Sequence, residues 1–170
     1  MNDFLTLCQQ RRSIHKYTSQ PVEQEKIDYM LRCALMAPSG KRLNPWEFVV
    51  VRDEAKLRAM EGCRTYGSGM FKTAMAAIVV AVDATVTDTW MADGAIAAEH
   101  LLLAAEEQGL GACWCQVYQR EGAEELIKGL CGIPAEMTVL CVISVGYKDE
   151  ERKNYDLEKL KYEKIHNETY

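Results

Sequence analysis

A chain of 170 residues, 48% hydrophobic, with 25 acidic and 20 basic side chains, has the length and composition of a single globular domain, residues 1–170, that can bury a core. Its net charge of −5 argues against general nucleic-acid binding, which needs a basic face. With that acidic balance any anion recognised here is expected to be small and local, and no apolar run reaches the roughly 18 uncharged residues of a membrane span.

The first element in chain order is a short helix over Asp3 to Gln10, with Phe4, Leu7 and Cys8 on one face. Pro21 opens a second helix. Glu23 and Glu25 suit its positive end, and Ile27, Met30, Leu31, Ala34 and Leu35 recur at helical spacing until Pro38 stops it. The stretch SGKRLNP reads as a loop, and Glu47 to Val51 as a compact buried strand. A polar helix follows over Glu54 to Glu61, then a glycine-bearing flexible loop at Tyr66 to Gly69, then a second buried strand, Ala76 to Val82. The helix from Asp88 to Gln108 spreads Trp90, Met91, Ile96, Leu101, Leu102 and Leu103 around most of its circumference. A helix apolar on most sides is buried on most sides, and in a domain this small a second copy of the chain would cover the remainder. Gly109 caps that helix. The strand ACWCQVY, a helix from Glu121 to Leu130 and the strand MTVLCVISVGY complete the globule. Residues 148–170 carry both charge signs with little apolar periodicity, and are expected to be disordered or to lie across another subunit.

Motifs for familiar chemistry are weak. Gly109-Leu110-Gly111 closes a helix and opens a strand, with Trp114 where a third glycine would stand. That is the reverse of a dinucleotide-binding turn, although the glycines could let backbone pass close to a flat ligand. GCRTYGS lacks the lysine of a phosphate loop, His100 and His166 are isolated, and Cys113-Trp114-Cys115 has no partner pair at zinc spacing. The seven cysteines sit mostly in apolar surroundings. With no leader-like N-terminus, they read as reduced thiols in a cytoplasmic protein. No side-chain constellation advertises a nucleophile or a metal, so a cofactor is expected to carry any chemistry.

The remaining signal is RRSIHKY, Arg11 to Tyr17: three cations and a histidine in seven residues of an acidic chain. Three further segments stand in register with it: APSGKRLNPWEFVVV at Ala37 to Val51, DGAIAAEHLLLAAEEQGLGACW at Asp93 to Trp114, and VGY followed by EKIH at Glu163 to His166. In this order and spacing the chain resembles the compact members of the nitroreductase family of flavoproteins, from about Cys8 to His166.

The resemblance implies an α+β fold, a three-layer α-β-α sandwich around a mainly antiparallel sheet, in an intertwined homodimer with one FMN at each subunit interface. It implies ping-pong hydride transfer from NADH or NADPH through flavin N5 to a nitroaromatic, quinone or enone acceptor, with no catalytic side chain and no metal. Arg11 and Ser13 of the family's R-x-S pattern would hold the FMN phosphate and ribityl chain, with Arg12 beside them. His15 stands where the family usually has Arg or Lys, which would make that contact pH-dependent. Pro38, Ser39 and Gly40 of the other subunit would lie against the isoalloxazine ring. Arg42 replaces the usual asparagine there, and Asn44 the usual glutamine. Gln116 and Val117, after Cys115, would pass flavin N5, and Gln116 stands where glycine is common. Lys159, with Lys161 second, would reach the phosphate from the tail, residues 148–170, packed on the partner subunit. Solvent or Tyr118 could supply a proton. Three alternatives stay open: an FMN-binding sensor or store without turnover, a reductive dehalogenase-like flavoenzyme with Tyr66 to Thr73 as its lid, and a flavin-free dimeric interaction module.

Overall fold

The computed structural model describes residues 3–170. Asp3 is a helix cap: its carboxylate accepts from the Thr6 amide at 3.1 Å and from the Thr6 hydroxyl at 2.7 Å. This satisfies a donor that a helix N-terminus leaves unpaired. Helix α1 follows as Phe4–Gln10. Helix α2 spans Gln24–Leu35 and buries Ile27, Met30 and Ala34. Pro21 precedes it by three residues, and Glu23 rather than Pro21 marks its start.

Four strands, β1 (Trp46–Val51), β2 (Ala76–Val82), β3 (Gly111–Gln116) and β4 (Thr138–Gly146), form one antiparallel sheet in the order β1-β2-β4-β3. β2 is buried along its whole length, which is why it reads as an unbroken apolar run. Its alternation divides the core. Ala77 and Val79 join Leu57, Met60, Phe71 and Ile127 on one face, while Ile78 and Val80 join Ile27, Met30 and Leu101 on the other. Helices α3 (Glu54–Ala59) and α5 (Ala123–Cys131) cover the first face. α2 and α4 (Trp90–Glu107) cover the second. The three-layer α-β-α sandwich with an antiparallel centre is therefore as expected. A bulge opposite Val80 and Ala81 puts Leu140 and Cys141 on the same face of β4. The freed Leu140 carbonyl accepts from the Val117 and Tyr118 amides at 3.2 and 3.1 Å, ending β3.

The expected flexible loop at Tyr66 to Gly69 is pinned. The Ser68 hydroxyl, buried, donates to the carbonyls of Glu61 and Arg64 at 2.7 and 3.0 Å, and Met70 and Phe71 of the following turn enter the core. A loop that buries its own anchor residues loses the freedom its glycines suggest.

The N-terminal segment crosses the end of the β3–β4 ladder. Ser13 bridges Ala112 in parallel, and Tyr17 bridges Lys148 in antiparallel. The Ile14 amide donates to the Ala112 carbonyl at 3.1 Å and the Thr18 amide to the Tyr147 carbonyl at 2.9 Å. The crossing is possible because Gly111 and Gly146 face each other in the ladder. A Cβ on Gly111 would lie 2.9 Å from Ile14, and one on Gly146 would lie 2.8 Å from Tyr17. Gly111 thus makes room for the protein's own chain, where the sequence suggested room for a ligand. The buried Tyr17 hydroxyl donates to the Ile14 carbonyl at 2.6 Å and shares a 2.7 Å bond with Ser144 Oγ. Burial raises its pKa far above the usual phenol range, so it remains a neutral donor.

α4 covers the sheet with Ala97, Ala98, Leu101 and Ala105 but leaves Met91 and Ile96 exposed. Phe4 and Leu5 on α1, and Leu35 and Met36 at the end of α2, are exposed as well. Among the described residues no helix is long and apolar enough to cross a membrane.

Candidate functional site

Side chains alternate along β3. Cys113 and Cys115 point into the α3/α5 layer, while Trp114 packs on the α2/α4 side. The Gln116 side chain accepts from Trp114 Nε1 at 2.9 Å and donates to the Tyr118 carbonyl at 3.1 Å. Val117 is fully buried.

The crossing segment brings the Arg-x-Ser-x-His residues to this strand. His15 Nε2 lies 3.5 Å from Cys113 Sγ. Ser13 hydrogen-bonds the same thiol, and the charges of Arg11 and Arg152 bear on it. Burial nonetheless dominates and pushes the Cys113 thiol up to about 11. The His15 amide donates to the Glu150 carboxylate. Arg152 pairs with Glu150 at 2.8 Å and reaches His15 Nδ1 at 3.4 Å. Partial burial works to raise the Glu150 pKa, but the His15 amide and Arg152 outweigh it and hold the carboxyl below its usual range. Cys113, His15 and Glu150 stand in the order of a nucleophile, base and orienting acid. The raised thiol and a separation of 3.7 Å between His15 Nδ1 and the Glu150 carboxylate leave it without the activation such a triad needs.

Arg11 and Arg12 diverge. Arg11 meets Glu99 of α4 at 3.9 Å. Arg12 donates to the Lys153 carbonyl and stacks 4.4 Å over the Tyr155 ring, so it secures the start of the tail. Lys159 lies in an exposed turn against Asp156 at 3.2 Å, and Lys161 is exposed beyond it. Within this chain Arg152, and neither lysine, is the tail cation beside His15. Counting from EKIH could not find it, because the Tyr17–Lys148 bridge sets the tail's register.

The Pro38 to Asn44 loop is built on the start of α4. Asp93, 3% exposed, accepts from the Gly40 amide at 2.9 Å and from the Thr89 hydroxyl at 3.0 Å. The Ser39 hydroxyl donates to Asn44 Oδ1 at 2.7 Å and accepts from the Asn44 amide at 3.0 Å. Lys41, Arg42 and Asn44 all have positive φ, at 53°, 58° and 46°. Three left-handed non-glycine residues in four cost energy, and the surrounding bonds must hold them. Asp93 is a residue that motif reading missed; its signal is a lone acid on the apolar flank of α4. Asp93→Ala would remove the partner of the partly buried Gly40 amide, so a loss of about 1 kcal/mol in urea denaturation is expected. Asp93 and Glu99 are six residues apart on α4, or about 9 Å. One helix therefore carries both the loop anchor and the partner of Arg11.

An antiparallel three-layer sandwich whose N-terminal Arg-x-Ser segment docks beside the strand after a helix-capping GLG turn is the nitroreductase type of α+β oxidoreductase fold. The chain belongs to the nitroreductase family, whose family model matches residues 8–65 and 63–147. It is 36% identical over 175 residues, covering all of both chains, to an Archaeoglobus fulgidus protein named only provisionally as an NADH dehydrogenase/NAD(P)H nitroreductase. A solved FMN-dependent nitroreductase from Clostridium difficile R20291 superposes with a TM-score of 0.95 at 42% identity, covering 98% of this chain and 100% of that one. An iodotyrosine deiodinase from Thermotoga neapolitana is 26% identical, with 88% of this chain and 90% of that protein aligned.

Proposed function

We propose that this protein is an FMN-dependent oxidoreductase that takes hydride from NADH or NADPH and delivers it, in separate half-reactions, to a small oxidised acceptor of nitroaromatic, quinone or enone type. The observation that carries this reading is the convergence of Arg11, Ser13, His15 and Arg152 at one end of β3, in a family with an FMN-dependent relative at 42% identity. The donor set fits a phosphate. A guanidinium offers paired charge-assisted hydrogen bonds, and a serine adds a neutral one. Arg152 is already engaged by Glu150 at 2.8 Å, whereas Arg11 has only a half-exposed partner at 3.9 Å. Arg11 is therefore the cation free to take the phosphate. Ser13 would hold the phosphate or ribityl chain beside it, with His15 next to them. Gln116 and Val117 would border the ring edge. The isoalloxazine supplies the hydride chemistry when bound.

Arg11 and the Pro38 to Asn44 loop lie at different points along α4, and a second subunit would complete the site. The apolar surface exposed by Phe4, Leu5, Leu35, Met36, Met91 and Ile96 is what an interface of two such chains would cover. In that dimer the loop with Pro38, Ser39, Gly40 and Asn44 faces the partner's flavin. The tail is held on its own chain as far as Tyr155, so only the part beyond it, with Lys159, would lie along the partner. A reducing cytoplasm is the proposed location, a reading that the free cysteines support.

A visible spectrum of the purified protein is expected to show bound FMN, and anaerobic NADH or NADPH should bleach it. Sedimentation at micromolar concentration should give a dimer. A colourless protein that refuses added FMN ends this reading. Bound FMN that neither donor bleaches favours a sensor or store. The deiodinase relative keeps a second chemistry in view, which iodide release from iodotyrosine by the reduced enzyme would reveal.

A further inference from the structure

The opposite end of the same strand face holds a feature the flavin reading does not use. Cys115 lies two residues beyond Cys113 on the α3/α5 side of β3. Its Sγ is 3.7 Å from Cys63 Sγ, although the two residues are 52 apart in sequence. Both are free thiols and both are buried. We propose that Cys63 and Cys115 form an oxidisable dithiol site that closes reversibly into a disulfide, with a small peroxide as the oxidant.

Three features support the pair. The gap of 3.7 Å is an S–H···S contact, and closing it to the roughly 2.05 Å of a disulfide moves the sulfurs by less than 2 Å. Cys63 ends a short turn, Met60–Cys63, that lies outside the sheet, whereas Cys115 is fixed in the β3–β4 ladder. Cys63 also lines a surface cavity of about 340 Å³ with Arg64, Thr65, Tyr66 and Arg120. That cavity gives a peroxide-sized molecule a route to a pair that bulk solvent barely reaches.

Either sulfur can donate in this contact, and the Cys115 thiol also reaches the Gly67 carbonyl at 3.8 Å. One of the two, as thiolate, attacks one peroxide oxygen, the O–O bond breaks, and with one proton taken up hydroxide leaves as water and a sulfenic acid remains. The other sulfur then attacks the sulfenic sulfur. The S–S bond forms, the S–O bond breaks, and a second water leaves with the proton of that second thiol. Two thiols lose two electrons and hydrogen peroxide gains them. A cellular dithiol reverses the step by exchange. The other cysteines lack this arrangement: Cys113 is next to His15 and Ser13, and Cys141 faces the α2/α4 layer.

The test uses the protein as purified, with its cofactor, exposed to hydrogen peroxide and then alkylated in denaturant. Five of the seven thiols should be modified instead of seven, with a mass loss of 2 Da before alkylation, and dithiothreitol should restore all seven. Trypsin should yield Ala59–Arg64 joined to Thr73–Arg120, with fragmentation placing the bond at Cys115 and not Cys113. Cys63→Ser and Cys115→Ser should each abolish the linked peptide, and the sulfur left alone in one of them should carry the sulfenic or sulfinic acid. Seven alkylated thiols after peroxide, a bond between any other cysteines, or wild-type Cys115 passing to sulfinic acid while Cys63 stays alkylatable would each overturn the proposal. Thiol count and linkage do not depend on electron transfer, so this proposal and the flavin reading fail separately.

Discussion

Arg11→Ala is expected to raise the Kd for FMN about 100-fold while leaving the fold intact. The estimate follows from two charge-assisted hydrogen bonds at about 1.5 kcal/mol each, or about 3 kcal/mol in all. The cost to folding is small for a visible reason. The Arg11 side chain is 21% exposed and that of Glu99 is 52% exposed, with 3.9 Å between them, and pairs of this kind contribute less than about 1 kcal/mol. Glu99→Gln is the matching control. It removes the competitor for the guanidinium, so FMN affinity should stay level or tighten slightly, and it shows whether Arg11 acts through phosphate or through α4. Titration of the apoprotein by flavin fluorescence gives both constants, and rising salt should weaken the wild type more than the Arg11 variant. A Kd within twofold of wild type for Arg11→Ala would remove Arg11 from the phosphate site.

The elements that local pattern controls were legible in the sequence. β2 was found to the residue, because a strand buried on both faces is apolar without interruption. Gly109 was found as a cap, and it takes φ +72° while the Leu110 amide returns to the Ala105 carbonyl at 2.8 Å. Boundaries moved where a side chain, not a propensity, decides them: Asp3 caps α1 instead of joining it. Features set by contacts distant in sequence were not legible. The mobility expected at Tyr66 to Gly69 failed because the Ser68 hydroxyl has two carbonyl partners on the preceding turn. Arg152 reaches His15 across 137 residues, and neither charge nor spacing marks it out from Lys153 or Lys159. Asp93 is an ordinary acid until Gly40 is seen to point at it. The Cys63–Cys115 contact likewise requires knowing which way β3 faces. Family resemblance supplied Arg11, Ser13 and His15 as one group, and the structure supplies the reason they can be one: a crossing over two glycines.

Replacing either glycine tests that reason. Gly111→Ala should destabilise the protein by about 2–3 kcal/mol and weaken FMN binding by more than tenfold. The added Cβ would stand 2.9 Å from the Cβ, Cγ1 and Cγ2 of Ile14. Those atoms sit at the root of a β-branched side chain, so no rotamer change removes them, and the backbone must retreat by most of an ångström. Arg11, Ser13 and His15 ride on that backbone, on either side of the Ile14 to Ala112 hydrogen bond. Gly146→Ala presses on Tyr17 at 2.8 Å and should strain the hydroxyl bonds to Ile14 and Ser144 from the other end of the crossing. Gly109→Ala separates these effects from any generic cost of losing a glycine. Its Cβ meets nothing within 4 Å, so only the left-handed backbone is penalised, by about 1 kcal/mol, and FMN affinity should hold. Urea denaturation and flavin titration of the three variants give the comparison. If Gly111→Ala proves as mild as Gly109→Ala in both measurements, the segment does not depend on the glycine crossing for its place, and the phosphate cluster must be held by the tail through Glu150 and Arg152 instead.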